Sequence, residues 1–203
     1  MAEQLVSRWP IDDSIAYYVG NLGPDSGVMN QSTKVFEPLS EISHWQTGPY
    51  KDSIDPEAFY QKFLTTDWDD FYLGYYIHLW CDIIWDRMIG IPMRKRFRDE
   101  LADPNFIWEV KRDWYAHDNH FLREHPSWQP LDSLCSLADF PNRYLDYYPE
   151  DAFIRQVHYI CNYYHSYDFP ERTFDYLNRS DYEDYIAAAV AEIDDILRAK
   201  KTA

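Results

Sequence analysis

A histidine and an aspartate stand in the middle of the most apolar stretch of the chain. The stretch covers residues 71–88 and reads FYLGYYIHLWCDIIWDRM. His78 and Asp82 are four residues apart, so a helix places both on one face, one turn apart. An ionised carboxylate is costly in apolar surroundings unless it is paired or bound to a metal. Two interpretations follow: a buried hydrogen-bonded pair, or half of a metal site.

Two further candidate ligands come earlier in the chain. Asp25 ends the run GNLGPD, whose Gly, Asn and Pro residues stop a short helix and predict a turn. His44 lies in a Ser-His-Trp step within residues 29–50, which lack a helical or strand period and predict a long ordered loop. Each alone is equally an ordinary turn or surface residue. Together with His78 and Asp82 they make a nitrogen and oxygen ligand set that suits zinc and accepts iron or manganese.

These four residues, in this order, resemble the zinc-dependent phospholipase C family, whose all-helical fold is shared with the single-strand-specific zinc nucleases. The resemblance is carried by GNLGPD, by Ser-His-Trp and by LGYYIHLWCD. It implies a helical bundle of that type, in which Asp25, His44, His78 and Asp82 bind metal in a centre that hydrolyses phosphate esters.

Departures from the family pattern predict a smaller metal centre. The family has a histidine before the first helix, where this chain has none, and a later His-x-x-x-Glu, for which His158 with Asn162 is the nearest equivalent. We therefore expect one or two divalent ions, zinc first and iron or manganese as alternatives.

The helix predicted over residues 106–124 offers groups that would complete the site. Asp118 and His117 are predicted to do so, with Asp118 as a general base. Asp113, His120 and the later His158 are alternatives.

Helical patterns predict an all-α fold. Helices are expected over residues 12–20, 56–63, 71–88, 106–124, 131–140, 151–165 and 180–200, and no strand pattern competes with them. A single domain, 1–203, would contain a metal-site half at about 12–125 and C-terminal helices at about 131–200. Arg94 belongs to a basic cluster after the central helix, which is either a solvated face or a phosphate contact.

Composition limits the partners. The 203 residues are 46% hydrophobic, as in folded globules, and carry a net charge of −16, which disfavours nucleic acid binding. No transmembrane or secretory segment is visible, so we expect a cytoplasmic protein. Three widely separated cysteines predict reduced thiols without a disulfide. Oligomeric state is left without a prediction.

Two functions follow from the sequence. The first is a metal-dependent hydrolase of a small-molecule phosphate ester, with metal-activated water as the nucleophile. The alternative is a non-catalytic acidic helical scaffold or partner-binding protein with a vestigial or structural metal site, in which His78 and Asp82 form a core pair.

Overall fold

The structure, a computed structural model, describes residues 1–166 and 173–202, and it is predominantly helical. Its α-helices are α1 (Ala2–Val6), α2 (Ser14–Leu22), α3 (Ser40–Ser43), α4 (Pro56–Phe63), α5 (Asp70–Trp85), α6 (Ile91–Arg96), α7 (Phe106–Glu124), α8 (Gln129–Cys135), α9 (Ala152–Ser166) and α10 (Arg179–Lys201). Short 3₁₀ helices cover Gly23–Asp25, Lys51–Ser53 and Glu100–Ala102, and a π-helical segment covers Asp86–Gly90. The all-α prediction is confirmed.

Part of the predicted loop over residues 29–50 is in fact regular. Two short strands, β1 (Val28–Met29) and β2 (Phe36–Glu37), pair antiparallel with Val28 opposite Glu37. The turn between them is held by Asn30, whose side-chain oxygen accepts the backbone N–H of Ser32 at 2.9 Å. Strands of two residues are too short to show an alternating pattern, so no sequence pattern predicted them.

The α-helix α5 ends at Trp85, but helical structure continues past residue 88, where the sequence predicts the end of the central helix. Its beginning is capped by Asp69, whose carboxylate accepts the backbone N–H of Phe71 at 2.9 Å. The chain then runs through the π-helical segment directly into α6. Pro92 does not stop the chain there because it lies at the first turn of α6, where the missing N–H leaves no hydrogen bond unmade. No helix within the described ranges is long and apolar enough to cross a membrane.

Two glycines let α2 and α5 pack at very short range. A Cβ atom on Gly20 would collide with the carbonyl oxygen of Phe71, and one on Gly74 would collide with the carbonyl oxygen of Tyr17. The close approach is reinforced by Asn21, whose side-chain amide donates to the carbonyl of Gly74 at 3.2 Å. It brings the end of α2, and Asp25 just after it, beside the middle of α5.

Aromatic rings fill the core around α5. The rings of Phe59 and Tyr75 are stacked with centroids 4.7 Å apart, and those of Phe71 and Tyr144 with centroids 4.0 Å apart. The buried cluster runs in sequence from Leu5 in α1 to Leu197 in α10, so the first and last helices share one core.

A disulfide joins α8 to α9, between Cys135 and Cys161. The expectation of a disulfide-free chain is therefore wrong. The two cysteines are 26 residues apart in sequence, and only the packing of α8 on α9 brings their Cα atoms to 5.6 Å. Cys81 is a buried free thiol.

Candidate metal centre

Three elements bring the four predicted ligands together. His78 and Asp82 project from one face of α5, His44 is the residue at the C-terminal end of α3, and Asp25 ends the 3₁₀ helix after α2. The Nε2 atom of His44 lies 3.3 Å from Asp25 Oδ1 and 3.6 Å from Asp82 Oδ2. The Nε2 atom of His78 lies 3.9 Å from Asp25 Oδ2 and 3.7 Å from Asp82 Oδ2. The two imidazoles thus lie between two carboxylates.

Asp25, His44 and His78 form a triad that could hold a metal ion. Their ligand atoms all lie within 4.8 Å of one another, whereas Asp82 is outside this group. Two atoms that each lie about 2.0–2.2 Å from a tetrahedral zinc ion are roughly 3.3 Å apart. The separation between His44 and Asp25 already matches that value, and the other atoms need only small movements.

His78 is held in the orientation that a ligand requires. Its Nδ1 atom lies 2.7 Å from the carbonyl oxygen of Asn21. Since a carbonyl only accepts, Nδ1 carries the proton and the lone pair of the neutral ring is on Nε2, toward the other ligands. That Nε2 atom is buried and has no hydrogen-bond partner among residues 1–166 and 173–202. Buried polar atoms are rarely left unpaired, so this one marks the point where a ligand is expected.

His44 and Asp82 are similarly constrained. The Nδ1 atom of His44 lies 2.9 Å from the hydroxyl of Ser43. Asp82 accepts a short hydrogen bond from Lys51, whose Nζ atom lies 2.5 Å from Oδ1. The other oxygen, Oδ2, is buried, has no hydrogen-bond partner and faces both histidines. A buried, unpaired oxygen beside unpaired nitrogen is typical of a ligand set and not of a hydrophobic core.

The charges of the centre shift one another's pKa. Burial opposes ionisation of Asp82, but Lys51 and the histidines outweigh it and lower the pKa of this carboxyl. Burial likewise opposes protonation of His78, but the carboxylates of Asp82 and Asp25 raise its pKa. The pKa of Asp25 is lowered because its contact with His44 and the nearby His78 outweigh burial. Ionised carboxylates at neutral pH are the form that binds a divalent ion.

Two residues of the centre were missed from the sequence. Lys51 comes just after the predicted loop, 31 positions before its partner Asp82, and no local pattern links them. Asn21 acts through its backbone carbonyl, which every residue type has. The only sequence signal for Asn21 is its place in the GNLGPD run.

The predicted catalytic residues are engaged elsewhere. The Nε2–H of His117 donates to the carbonyl of Leu177 at 2.8 Å. Asp118 accepts hydrogen bonds from the hydroxyls of Tyr164 and Tyr182, each at 2.8 Å. Burial raises the pKa of Asp118, although the two hydroxyls act in the opposite direction. Among the described residues neither His117 nor Asp118 is bonded to a residue of the triad, and their catalytic roles stay predictions.

The alternatives for completing the site also have structural partners. Asp113 accepts the backbone N–H groups of Tyr176 and Leu177 at 2.7 and 3.2 Å. His158 hydrogen-bonds the carbonyl of Leu137 at 3.3 Å, and the ring of His120 lies against Phe174. The structure brings none of these three into the triad.

Arg94 is paired inside the protein. It makes a two-point contact with the buried carboxylate of Asp86, at 2.6 and 2.9 Å, and its guanidinium lies over the ring of Tyr50. A two-point pair of this kind fixes the guanidinium. Arg94 is therefore not a free cation awaiting a phosphate.

A cavity of about 930 Å³ adjoins the centre. Lys51 joins the two, because it lines the cavity and also bonds Asp82. Lys111 lines the cavity as well. Burial and the positive charge of Lys51 lower the pKa of Lys111, and together they outweigh the opposite effect of Asp25. The remaining wall is mostly apolar and includes Phe36 and Trp114. Lys34 and Arg94 line the cavity too, so cationic side chains are set in a mostly apolar wall, and Lys51 alone of these described side chains bonds a residue of the centre.

Comparisons with known proteins identify no relative. No protein-family model matches the chain, and no match was found among curated proteins or solved structures. The geometry of the triad and its surroundings is therefore the basis for inferring a function.

Proposed function

We propose that the protein is a metal-dependent hydrolase of a phosphate ester. The observation that carries the proposal is the convergence of Asp25, His44 and His78 within 4.8 Å, with the Nε2 atom of His78 buried and unpaired. Two imidazoles and a carboxylate are the ligand set of many catalytic zinc sites, and they leave a coordination position open. We propose zinc as the ion, with iron or manganese as alternatives.

Other groups of the protein would orient the ligands and bind the phosphate. Asn21 fixes the tautomer of His78, and Ser43 orients His44. A divalent ion bound there would lower the pKa of a water molecule toward neutrality and so provide the nucleophile. Lys111, which lines the adjoining cavity, would hold a phosphate oxygen. His117 and Asp118 have no part in this scheme, because their polar atoms are engaged by Leu177 and by two tyrosines.

Metal content of the purified protein tests the proposal first. Protein prepared without chelator or added metal should contain close to one equivalent of zinc, iron or manganese by elemental mass spectrometry. The variants His78→Ala and His44→Ala each remove a ligand, so affinity should fall on the order of 100-fold or more. His125→Ala, an exposed histidine outside the centre, is the matched control and should retain the metal.

Hydrolysis is tested next with phosphomonoesters and phosphodiesters. Wild-type protein should cleave at least one class, and His78→Ala should not. Full metal content in both ligand variants would falsify the assignment of the triad.

The second candidate, an acidic scaffold with a structural or vestigial site, has one observation in its favour. Lys51 already neutralises one oxygen of Asp82 without any metal. Under this function the protein hydrolyses neither class of ester. If the site is vestigial, the purified protein is also metal-free, and added zinc or manganese does not change its melting temperature.

A further inference from the structure

The two carboxylate oxygens of Asp82 face different groups. One oxygen, Oδ1, is bonded to the ammonium of Lys51 at 2.5 Å. The other, Oδ2, is buried, unpaired and within 3.7 Å of the Nε2 atoms of both histidines. The same carboxylate therefore belongs to an ion pair on one side and to the candidate metal centre on the other.

Hydrogen bonds fix the backbone segment that carries Lys51, and so hold its ammonium group beside Asp82. It begins the 3₁₀ helix Lys51–Ser53, which is tied to the preceding loop by the backbone of Thr47 donating to Ser53 at 3.0 Å. The backbone of Gly48 also donates to the Ser53 hydroxyl at 2.9 Å. With its backbone fixed, the lysine extends to α5 and contacts a side chain that is only 13% exposed. Such a contact is not an ordinary surface ion pair.

The net charge of the centre therefore depends on Lys51. Two carboxylates, Asp25 and Asp82, face two imidazoles that are neutral when they bind metal. Lys51 cancels one of the two negative charges. An ammonium and a divalent ion sharing one carboxylate repel each other at short range.

We propose that Lys51 is a resident cation of the metal centre and that a divalent ion competes with its ammonium group for Asp82. This inference rests on the proposed metal site. It assigns Lys51 the role of setting metal affinity: the centre binds one ion with reduced affinity, held mainly by Asp25, His44 and His78.

Zinc affinity of lysine variants tests the inference. Wild type, Lys51→Met, Lys51→Arg and Lys34→Met are stripped of metal and titrated with zinc against a chromophoric chelator. Lys51→Met should bind zinc about tenfold more tightly than wild type, because Asp82 is then no longer shared between the ion and an ammonium group. Lys51→Arg keeps the charge and should resemble wild type. Lys34 lines the same cavity but bonds Gln31, so Lys34→Met is the control.

A second background isolates the role of Asp82. If the ammonium acts through this carboxylate, Lys51→Met should give no gain in affinity when Asp82→Asn is already present. Melting curves establish that each variant is folded, and Lys51→Gln replaces Lys51→Met if the latter is not. A gain that persists undiminished in the Asp82→Asn background would overturn the inference.

The remaining outcomes separate this inference from the proposed function. If wild type binds zinc and His78→Ala does not, while Lys51→Met gains less than tenfold, the metal site stands and the role of Lys51 is wrong. If zinc binds only after Lys51 is replaced, the competition is supported in its strongest form. If neither wild type nor Lys51→Met binds zinc, both proposals fail.

Discussion

At the scale of single residues, the centre depends on which atoms are left without partners. His78 and Asp82 were open to two interpretations, a core pair or half of a metal site. Their closest approach, Nε2 to Oδ2, is 3.7 Å, which is too long for a hydrogen bond. Both atoms are instead buried and unpaired, and both face His44. The distances therefore favour ligands over a hydrogen-bonded pair.

The candidate residues of the centre could be selected from the sequence by residue type, but their hydrogen-bond partners could not be predicted. Asp25, His44, His78 and Asp82 could be selected because polar residues in apolar or turn-rich surroundings need a reason. His117 and Asp118 were predicted only as groups on a polar helix that could complete the site, and the structure engages them in hydrogen bonds to Leu177 and to two tyrosines from distant helices. Such long-range partners leave no trace in local spacing.

The pH dependence of stability tests the structural role of Asp118. Its pKa is raised in the folded state, so its contribution to the free energy of unfolding is complete below the unfolded pKa of about 3.9 and is lost as the pH rises through the folded pKa. Asp118→Asn removes this dependence. Urea unfolding should therefore show wild-type stability falling relative to the variant as the pH rises toward neutrality.

The exposed Asp184, in α10, provides the control for that experiment. Asp184→Asn makes the same chemical change at a surface position and measures its background effect on stability. A difference between Asp118→Asn and wild type that stays constant with pH would show that burial of this carboxyl does not shift its titration.

At the scale of elements, the crossing of α2 and α5 positions the centre. The glycines at the crossing were not identified from the sequence as packing residues, because Gly74 lies inside a strongly helical pattern and Gly20 looks like a helix end. Both are explained by the neighbouring backbone: there is no room for a Cβ atom. Helix content was thus predictable from local patterns, while the contact that places Asn21 beside His78 was not.

Gly74→Ala tests the crossing of α2 and α5, because two effects of the substitution change the stability in opposite directions. Intrinsic helix propensity favours alanine by about 1 kcal/mol. Collision with the carbonyl of Tyr17 forces α2 away from α5 and should cost about 1–3 kcal/mol or more. We expect a net loss of stability in urea unfolding, accompanied by weaker zinc binding because Asn21 moves away from His78.

Gly48→Ala is the comparison for Gly74→Ala. Its added Cβ atom would meet the side chain of Ser53 at 3.1 Å, and not a helix backbone. The loss of stability should be smaller. A stabilised Gly74→Ala variant would mean that the two helices can separate without cost.

At the scale of the whole molecule, one core and one disulfide hold the helices together. The 46% hydrophobic content predicted a folded globule, and aromatic rings around α5 fill much of its core. The disulfide was not predicted, since cysteine spacing carries no information about the packing of α8 on α9. Disulfides are rare in reducing compartments, so this one opposes the cytoplasmic location expected from the sequence.

Removing the disulfide should lower stability by about 3 kcal/mol, as expected for a loop of this length. The variant Cys135→Ser/Cys161→Ser would be compared with wild type by urea unfolding under non-reducing conditions. Cys81→Ala keeps the disulfide and controls for loss of a buried thiol.

Alkylation of the denatured protein gives an independent measurement. Unreduced wild type should be modified at Cys81 alone, and reduced wild type at all three cysteines. Modification of three cysteines without reduction would contradict the disulfide.

The tryptophans in the cavity wall give the protein an internal optical probe. Trp85 and Trp114 both line the cavity, with ring centroids 4.9 Å apart, and the indole Nε1–H of Trp114 is buried without an acceptor. Indole emission responds to the polarity of its surroundings. A molecule entering the cavity would change the emission of this pair, and comparison with Trp114→Phe would separate that change from the other tryptophans. Binding in the cavity can therefore be followed by tryptophan fluorescence, without a label and before any substrate is known.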